Sequence, residues 1–343
     1  MGFPVETFRG FGCFSFHSKE KSLMPQTTNT TAAITAGPRL ADNLALKVFS
    51  GEVLKTFNTE TVMKSRVRVR TINSGTSAQF PAIGKAGAEY HTPGDLILGQ
   101  QIANGEKTLT IDDLLISSVF MSNWEDAVNH FDVRSEYTNQ IGQSLAQAYD
   151  QHLLAVASKA ARDGTTGAVA GMGPATRVAL GAAPTLDTIV SAIYDAAAFF
   201  DATNVPKNDR VVIVTPALYW DLIQDGRFLN RDFGNQNGNQ STGGLMKAAG
   251  FEIVPSNNFA LNFTTGTIQG KLGGVVHSKY NVNNSTAAAL VMQKQALGSL
   301  HLMDVSSEKE YQIARQGTLV VSKMAVGHGV LMPGCIRLLD AAV

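Results

Sequence analysis

Apolar positions recur at intervals of three and four from Val133 through Tyr137, Ile141, Leu145, Ala148, His152 and Val156. That period predicts one long helix over 132–161, about 45 Å from end to end. Asp132 is placed to cap its start, with Ser135 and Glu136 in the first turn, and Gly164 follows the basic stretch 159–162 where a helix would stop. A shorter amphipathic stretch lies at 44–57 (LALKVFSGEVLKTF), with Leu44, Val48 and Phe49 on one side of a short helix ahead of Gly51.

Strict alternation marks two further segments, RVRVR at 66–70 and EKTLTI at 106–111. Between them fall Pro81, Gly84, Gly87, Pro93, Gly94 and Gly99, so the expectation is a two-stranded arm with its tip near the Pro93-Gly94-Asp95 turn. A connection that long is improbable inside a compact domain, which predicts that it projects to meet something. After a Gly/Ala-rich connection at 164–184 the pattern becomes α/β. It predicts a helix over 186–200, a buried strand at 210–214, a helix starting at Thr215-Pro216 and a second strand at 251–254. The Asn/Gly-rich run 225–244 reads as a polar loop, and 287–339 as strands returning to the long helix. Residues 1–39 have no sustained period and read as an extended arm.

Composition narrows the function. Charged residues make up 16% of the chain, below the roughly 25% of ordinary soluble domains. Such a surface fits a subunit whose faces are covered by copies of itself, although an enzyme of low charge would look alike. The 28 basic and 28 acidic residues cancel, which argues against a dedicated nucleic-acid binder but leaves room for loose proximity to nucleic acid. Cys13 and Cys335 lie far apart and form neither a disulfide framework nor a zinc site. No apolar stretch approaches the roughly 18 residues of a membrane helix, and the Phe-rich opening lacks a signal peptide's basic start. The expectation is a protein that folds where it is made and does not enter a membrane.

Candidate chemistry is sparse. Gly142-Gln143-Ser144-Leu145-Ala146 nearly matches a nucleophile elbow, yet the serine falls within the predicted long helix rather than on a strand-to-helix turn. Glu125 and Asp126 are adjacent and would point about 100° apart on a helix, unsuited to converging on one substrate atom and better suited to a solvated or intersubunit charge pair. His130, Asp132 and Glu136 lack the same-face spacing of a helical metal site, and His328 between Gly327 and Gly329 reads as a turn residue. No phosphate-cradling glycine motif occurs. The expectation is no cofactor, no metal and no catalytic residue. Alternation places Arg66, Arg68 and Arg70 on one strand face, where they meet a protein partner, solvent or nucleic acid.

Six segments carry a resemblance to a known family: LALKVFSGEVLKTF from Leu44, SGTSAQFPAIG from Ser74, TLTIDDLL from Thr108, WEDAVNHFDVRSEYTNQIGQSLA from Trp124, GFEIV from Gly250 and KMAVGHG from Lys323. They resemble the major capsid proteins of T-seven-type short-tailed bacteriophages (podoviruses), from about residue 40 to the end. The resemblance implies an α+β chain with the Hong Kong 97-type capsid fold. Its parts would be an N-terminal extension and arm at 1–60, an E-loop hairpin at 61–112, and a P-domain at 113–184 with the long helix 132–161 as its spine. An A-domain would occupy 185–290, and 291–343 would return as strands to both domains. It further implies self-assembly as hexamers and pentamers into an icosahedral shell. The other implied partners are a scaffolding protein, a portal and packaged double-stranded DNA, with assembly in the host bacterial cytoplasm and a final place in the virion capsid.

Residues 1–23 have no counterpart in this resemblance and Met24 stands where such a protein would begin, so chains starting at Met24 are expected to assemble. At the tip, where the resemblance implies a charged Asp/Lys/Arg tract, the chain reads DLILGQQIAN. Arg66, Arg68, Arg70, Glu125 and Asp126 are the candidate intersubunit contacts. A cellular encapsulating compartment of the same fold and an α/β hydrolase-type enzyme are the alternatives.

Overall fold

A computed structural model describes residues 38–84, 86–94, 96–97, 99, 101–128, 134–169, 173–224, 238–239, 244–245, 247–263 and 279–341. Residues 1–37 of the arm predicted over 1–39, the Met24 start, the Asp132 cap and nearly all of the 225–244 loop lie outside them, and residues 38–39 begin a helix instead. The helices are α1 (Pro38–Glu60), α2 (Asn123–Val128), α3 (Arg134–Arg162), α4 (Leu186–Ala202) and α5 (Pro216–Gln224). By contacts the chain divides into 1–45 and 46–343, and everything below concerns the second unit.

A four-stranded sheet takes the order β1-β12-β13-β4, from β1 (Arg68–Thr71), β4 (Leu115–Ser122), β12 (Leu297–Gln312) and β13 (Gly317–Val330). A six-stranded sheet runs β5-β14-β11-β6-β10-β9, from β5 (Thr176–Ala179), β6 (Arg210–Val214), β9 (Lys247–Ala248), β10 (Phe251–Pro255), β11 (Ala287–Gln293) and β14 (Ile336–Asp340). The ribbons β2 (Ser77–Ile83) with β3 (Asn104–Thr110), and β7 (Gly238–Asn239) with β8 (Gly244–Leu245), complete the strands. β6, RVVIV, is buried along its whole length and has a neighbour on either side. The six-stranded sheet draws strands from 176–179 and 336–340 as well as from 210–255, so it is closed by chain far from its middle in sequence.

α3 packs on strands of both sheets. From Ala148 onward it is buried nearly all round, including Tyr149, Leu153, Leu154 and Ala157, so its apolar surface is wider than one amphipathic stripe. It ends at Gly164, whose φ is +61°, with Thr165 N–H donating back to Ala160 O at 2.9 Å.

Several expectations are corrected. α1 does not stop before Gly51 but continues to Glu60, and its buried face is Phe49, Val53 and Phe57, spaced by four, while Val48 is exposed. The strand paired with 104–110 is 77–83, not RVRVR. SAQFPAI alternates too, turning Ala78, Phe80 and Ala82 inward, whereas RVRVR supplies a short edge strand lying parallel to β12. Arg66 belongs to the 3₁₀ turn before that strand. His328 is not in a turn: it is the buried centre of the last stretch of β13.

Gly142, seen in sequence as part of a near-elbow, is where α1 crosses α3. A Cβ there would lie 3.0 Å from Val53 O and 2.8 Å from Thr56 Cβ. Gly142→Leu is therefore expected to push α1 off α3 at a cost of about 1–3 kcal/mol. The check is faster hydrogen exchange confined to 46–60, with β6 unchanged.

Candidate functional site: the hairpin base and the two ends of the four-stranded sheet

The hairpin is anchored at its base by β13. Gly327 and Gly329 leave that strand bare on one face, and β3 runs over it: Leu109 and Thr110 occupy the space that side chains would fill. Ile111 N–H donates to Thr76 O at 2.8 Å and Asp112 N–H to Val326 O at 3.1 Å, so backbone bonds fix the crossing. Phe80, Leu109 and Leu331 form a small apolar cluster beneath it. Beyond the base, residues 86–94 have no regular structure and are exposed; Tyr90 is fully exposed, as are most of Leu96 (83%) and Ile97 (75%). Apolar side chains so placed gain nothing from the chain that carries them.

The arginines divide into two settings. Arg66 is engaged within the chain: one guanidinium nitrogen donates to Val62 O at 2.7 Å and another meets Glu252 Oε1 at 2.5 Å. Arg68 and Arg70, on one face of β1, sit over the Phe80 ring with guanidinium carbons 5.9 and 5.6 Å from its centroid. Arg70 also donates to Gln79 O at 2.6 Å. Attraction to the ring offsets part of their mutual repulsion and holds two permanent charges, both exposed, ready for a carboxylate.

Glu125 and Asp126 belong to α2, and their side chains lie outside the described residues. The position of α2 is clear. It follows β4 at the far edge of the sheet, tied to the β12–β13 turn by Asn123 N–H to Gln316 O (3.0 Å) and Asn123 Nδ2 to Tyr311 Oη (2.8 Å). β1 pairs with the opposite end of β12, at 298–301. The basic strand and the acidic helix therefore stand at diagonal corners of one sheet, roughly 40 Å apart along β12 at the usual strand rise. Trp124 and Val128 are exposed on α2, with Ile313 and Tyr311 beside it on the turn.

A buried polar junction lies between α3 and the sheets, and sequence reasoning missed it. Tyr149 Oη meets Ser299 Oγ at 3.0 Å and His301 Nε2 at 3.1 Å. The His152 ring stacks on Tyr280 at 4.3 Å, and the Tyr280 hydroxyl donates to Asp112, which also accepts from Lys279 Nζ at 3.0 Å. Burial pushes the Tyr149 and Tyr280 hydroxyls well above their ordinary pKa, and holds the imidazoles of His301 and His328 below theirs. On another face of α3, Asp150 accepts from Val62 N–H (2.8 Å) and Met63 N–H (3.1 Å), while burial raises its pKa to about 6. The period-two spacing of Gly327 and Gly329 around His328 was the available signal, since it marks one strand face without side chains and one with an imidazole. Among the described residues no group of three or more His, Cys, Asp or Glu is placed to hold a metal ion, and no helix is long and apolar enough to cross a membrane.

A long helix packed on both a four-stranded and a six-stranded sheet, with an extended hairpin anchored at its base, defines the Hong Kong 97-type class of phage capsid subunit. The chain belongs to the Gp10A-like major capsid protein family, which it matches over residues 79–338. It is 33% identical to the major capsid protein of Escherichia phage T7, over 90% of this chain and 94% of that one. With the major capsid protein of Enterobacteria phage T3 the identity is 31%, over 87% and 92%. The solved capsid of cyanophage P-SCSP1u is similar at a TM-score of 0.69 and 34% identity, covering 82% of this chain and 88% of that one. The chain is thus a major capsid protein of the bacteriophage shell.

Proposed function

We propose that the chain assembles as hexamers and pentamers into an icosahedral shell around packaged double-stranded DNA. Assembly takes place in the host bacterial cytoplasm, on a scaffolding protein and with a portal, and the subunit performs no reaction of its own. In this reading 1–60 is the arm, 61–112 the E-loop, 113–184 the P-domain, 185–290 the A-domain, and 291–343 the returning strands. The observation that carries it is the separation of complementary features on one subunit: two arginines at one corner of a sheet and the helix that carries Glu125 and Asp126 at the other, with Leu96 and Ile97 of the hairpin exposed. Features that cannot meet within a chain are satisfied head to tail between copies, and such contacts close into rings.

Arg68 and Arg70 are accordingly assigned to the neighbour's Glu125 and Asp126, whereas Arg66 serves its own chain through Glu252. An exposed pair contributes at most about 1 kcal/mol, but every subunit repeats it. Arg68→Glu is expected to weaken assembly, more so at low ionic strength where the new repulsion is unscreened, and Glu125→Arg is expected to restore part of it. Sedimentation of particles across a salt series reads both. Arg68→Glu shells that form and resist heat like the parent at low salt would place these arginines against solvent or DNA instead.

A further inference from the structure

His328 is completely buried on β13, and neither ring nitrogen has a hydrogen-bond partner among the described residues. Its ring meets Tyr149 edge-on at 4.9 Å and lies 6.2 Å from His152 and 6.5 Å from Tyr280. These contacts join three parts of the molecule. Tyr149 and His152 belong to α3, His328 to the strand that carries the hairpin base on its opposite face, and Tyr280 reaches Asp112 at the hairpin's end while stacking on His152. The hairpin is held at Asp112 through Tyr280 and Lys279, so its anchorage passes through the packing of a buried imidazole junction.

We propose that this junction is an acid-operated release for the hairpin base: a proton taken up at His328 separates β13 from α3, breaks the His152–Tyr280 stack, and frees Asp112. Among the described residues no carboxylate is placed as a counterion for His328. Lys279 opposes a positive charge there, His152 and His301 do so whenever they are protonated, and Asp112 is already occupied by Lys279 and Tyr280. Asp304 faces His301 at 4.0 Å, Lys64 lies on that same side, and Asp150 is bound to the backbone of Val62 and Met63.

Burial holds the imidazole of His328 well below its ordinary value, so the stability of the neutral junction is complete above about pH 6.5 and is lost as pH falls below it. Asp150 acts oppositely. Its carboxyl is raised to about 6, so its contribution is complete below the ordinary carboxyl range and is lost as pH rises through 6. Acid is therefore expected to loosen the hairpin base, while burial of Asp150 favours its protonated form there.

Hydrogen–deuterium exchange on the purified full chain, in whatever assembly it adopts, tests this at about pH 7.5 and about pH 5 with rates corrected for chemical exchange. Peptides covering 104–112 are expected to exchange about tenfold faster in acid, with 210–214 unchanged. His328→Leu keeps the volume without a titrating nitrogen and is expected to abolish the acceleration. Tyr280→Phe removes the hydroxyl that holds Asp112 and is expected to give fast exchange of 104–112 at both pH values. Exchange of the imidazole C2 proton, followed by mass spectrometry, reads the titration of His328 in the unmodified chain and needs no variant. Equal corrected rates for 104–112 at the two pH values would overturn the proposal. So would acceleration that persists in His328→Leu, or an imidazole of His328 that titrates at its ordinary value.

Discussion

Gly327→Ala is expected to detach the hairpin base from the sheet and abolish assembly. A Cβ at this position would overlap Thr110 O and stand 2.8 Å from Ile111 Cα, both backbone atoms of the stretch that crosses it. Backbone cannot rotate aside, and this stretch is bonded at Ile111 N–H to Thr76 and at Asp112 N–H to Val326. Relief requires shifting the whole crossing, at a cost of about 3 kcal/mol or more. Gly329→Ala is a built-in control: its Cβ would meet Leu109 Cδ2, the far end of a side chain that can turn. It is expected to cost about 1 kcal/mol and to be rescued by Leu109→Ala, whereas Gly327→Ala is not rescued by that change. Thermal unfolding of the chain and sedimentation of its particles separate the two. Gly327→Ala particles of normal yield and melting temperature would mean that the hairpin does not depend on this crossing.

The parts of the fold legible in sequence are those whose signal is local. α3, β6, α5 and β10 each announce themselves by period or by a bounded apolar run, and observed boundaries fall within a few residues of those expected. Partnership between strands is not local. RVRVR and SAQFPAI both alternate, and only the placement of Phe80 against Leu109 and Leu331 decides which one pairs with β3. Arg66 illustrates the same limit, because alternation puts it in line with Arg68 and Arg70, yet the 3₁₀ turn at 64–66 rotates it toward Glu252, 186 residues away in sequence. His328 failed for a different reason. Flanking glycines usually signal a turn, but here they serve a close approach of another strand, which the sequence of β13 alone does not reveal.

Asp340→Ala is expected to produce the largest loss of stability outside the hairpin. Asp340 closes β14, its carboxylate wholly buried, and its Oδ2 lies 3.0 Å from Arg162 Nη2 at the end of α3 and 3.0 Å from Arg177 Nε on β5. One buried anion therefore joins the long helix to the edge of the six-stranded sheet. A triad of this kind contributes little net stability compared with an apolar replacement, because the desolvation of three charges offsets their attraction. Removing only the anion is different. Two half-buried guanidiniums would be left close together without the carboxylate they share, which costs about 3–5 kcal/mol. In a chain of this size that corresponds to a fall in melting temperature of roughly 4–7 °C. Arg177→Met, which leaves Asp340 paired with Arg162, is expected to cost less than half as much, and the two effects should not add in the double variant. Calorimetry of the three variants gives the cycle. A melting temperature unchanged by Asp340→Ala would show that water reaches the carboxylate site and that the triad does not join helix to sheet.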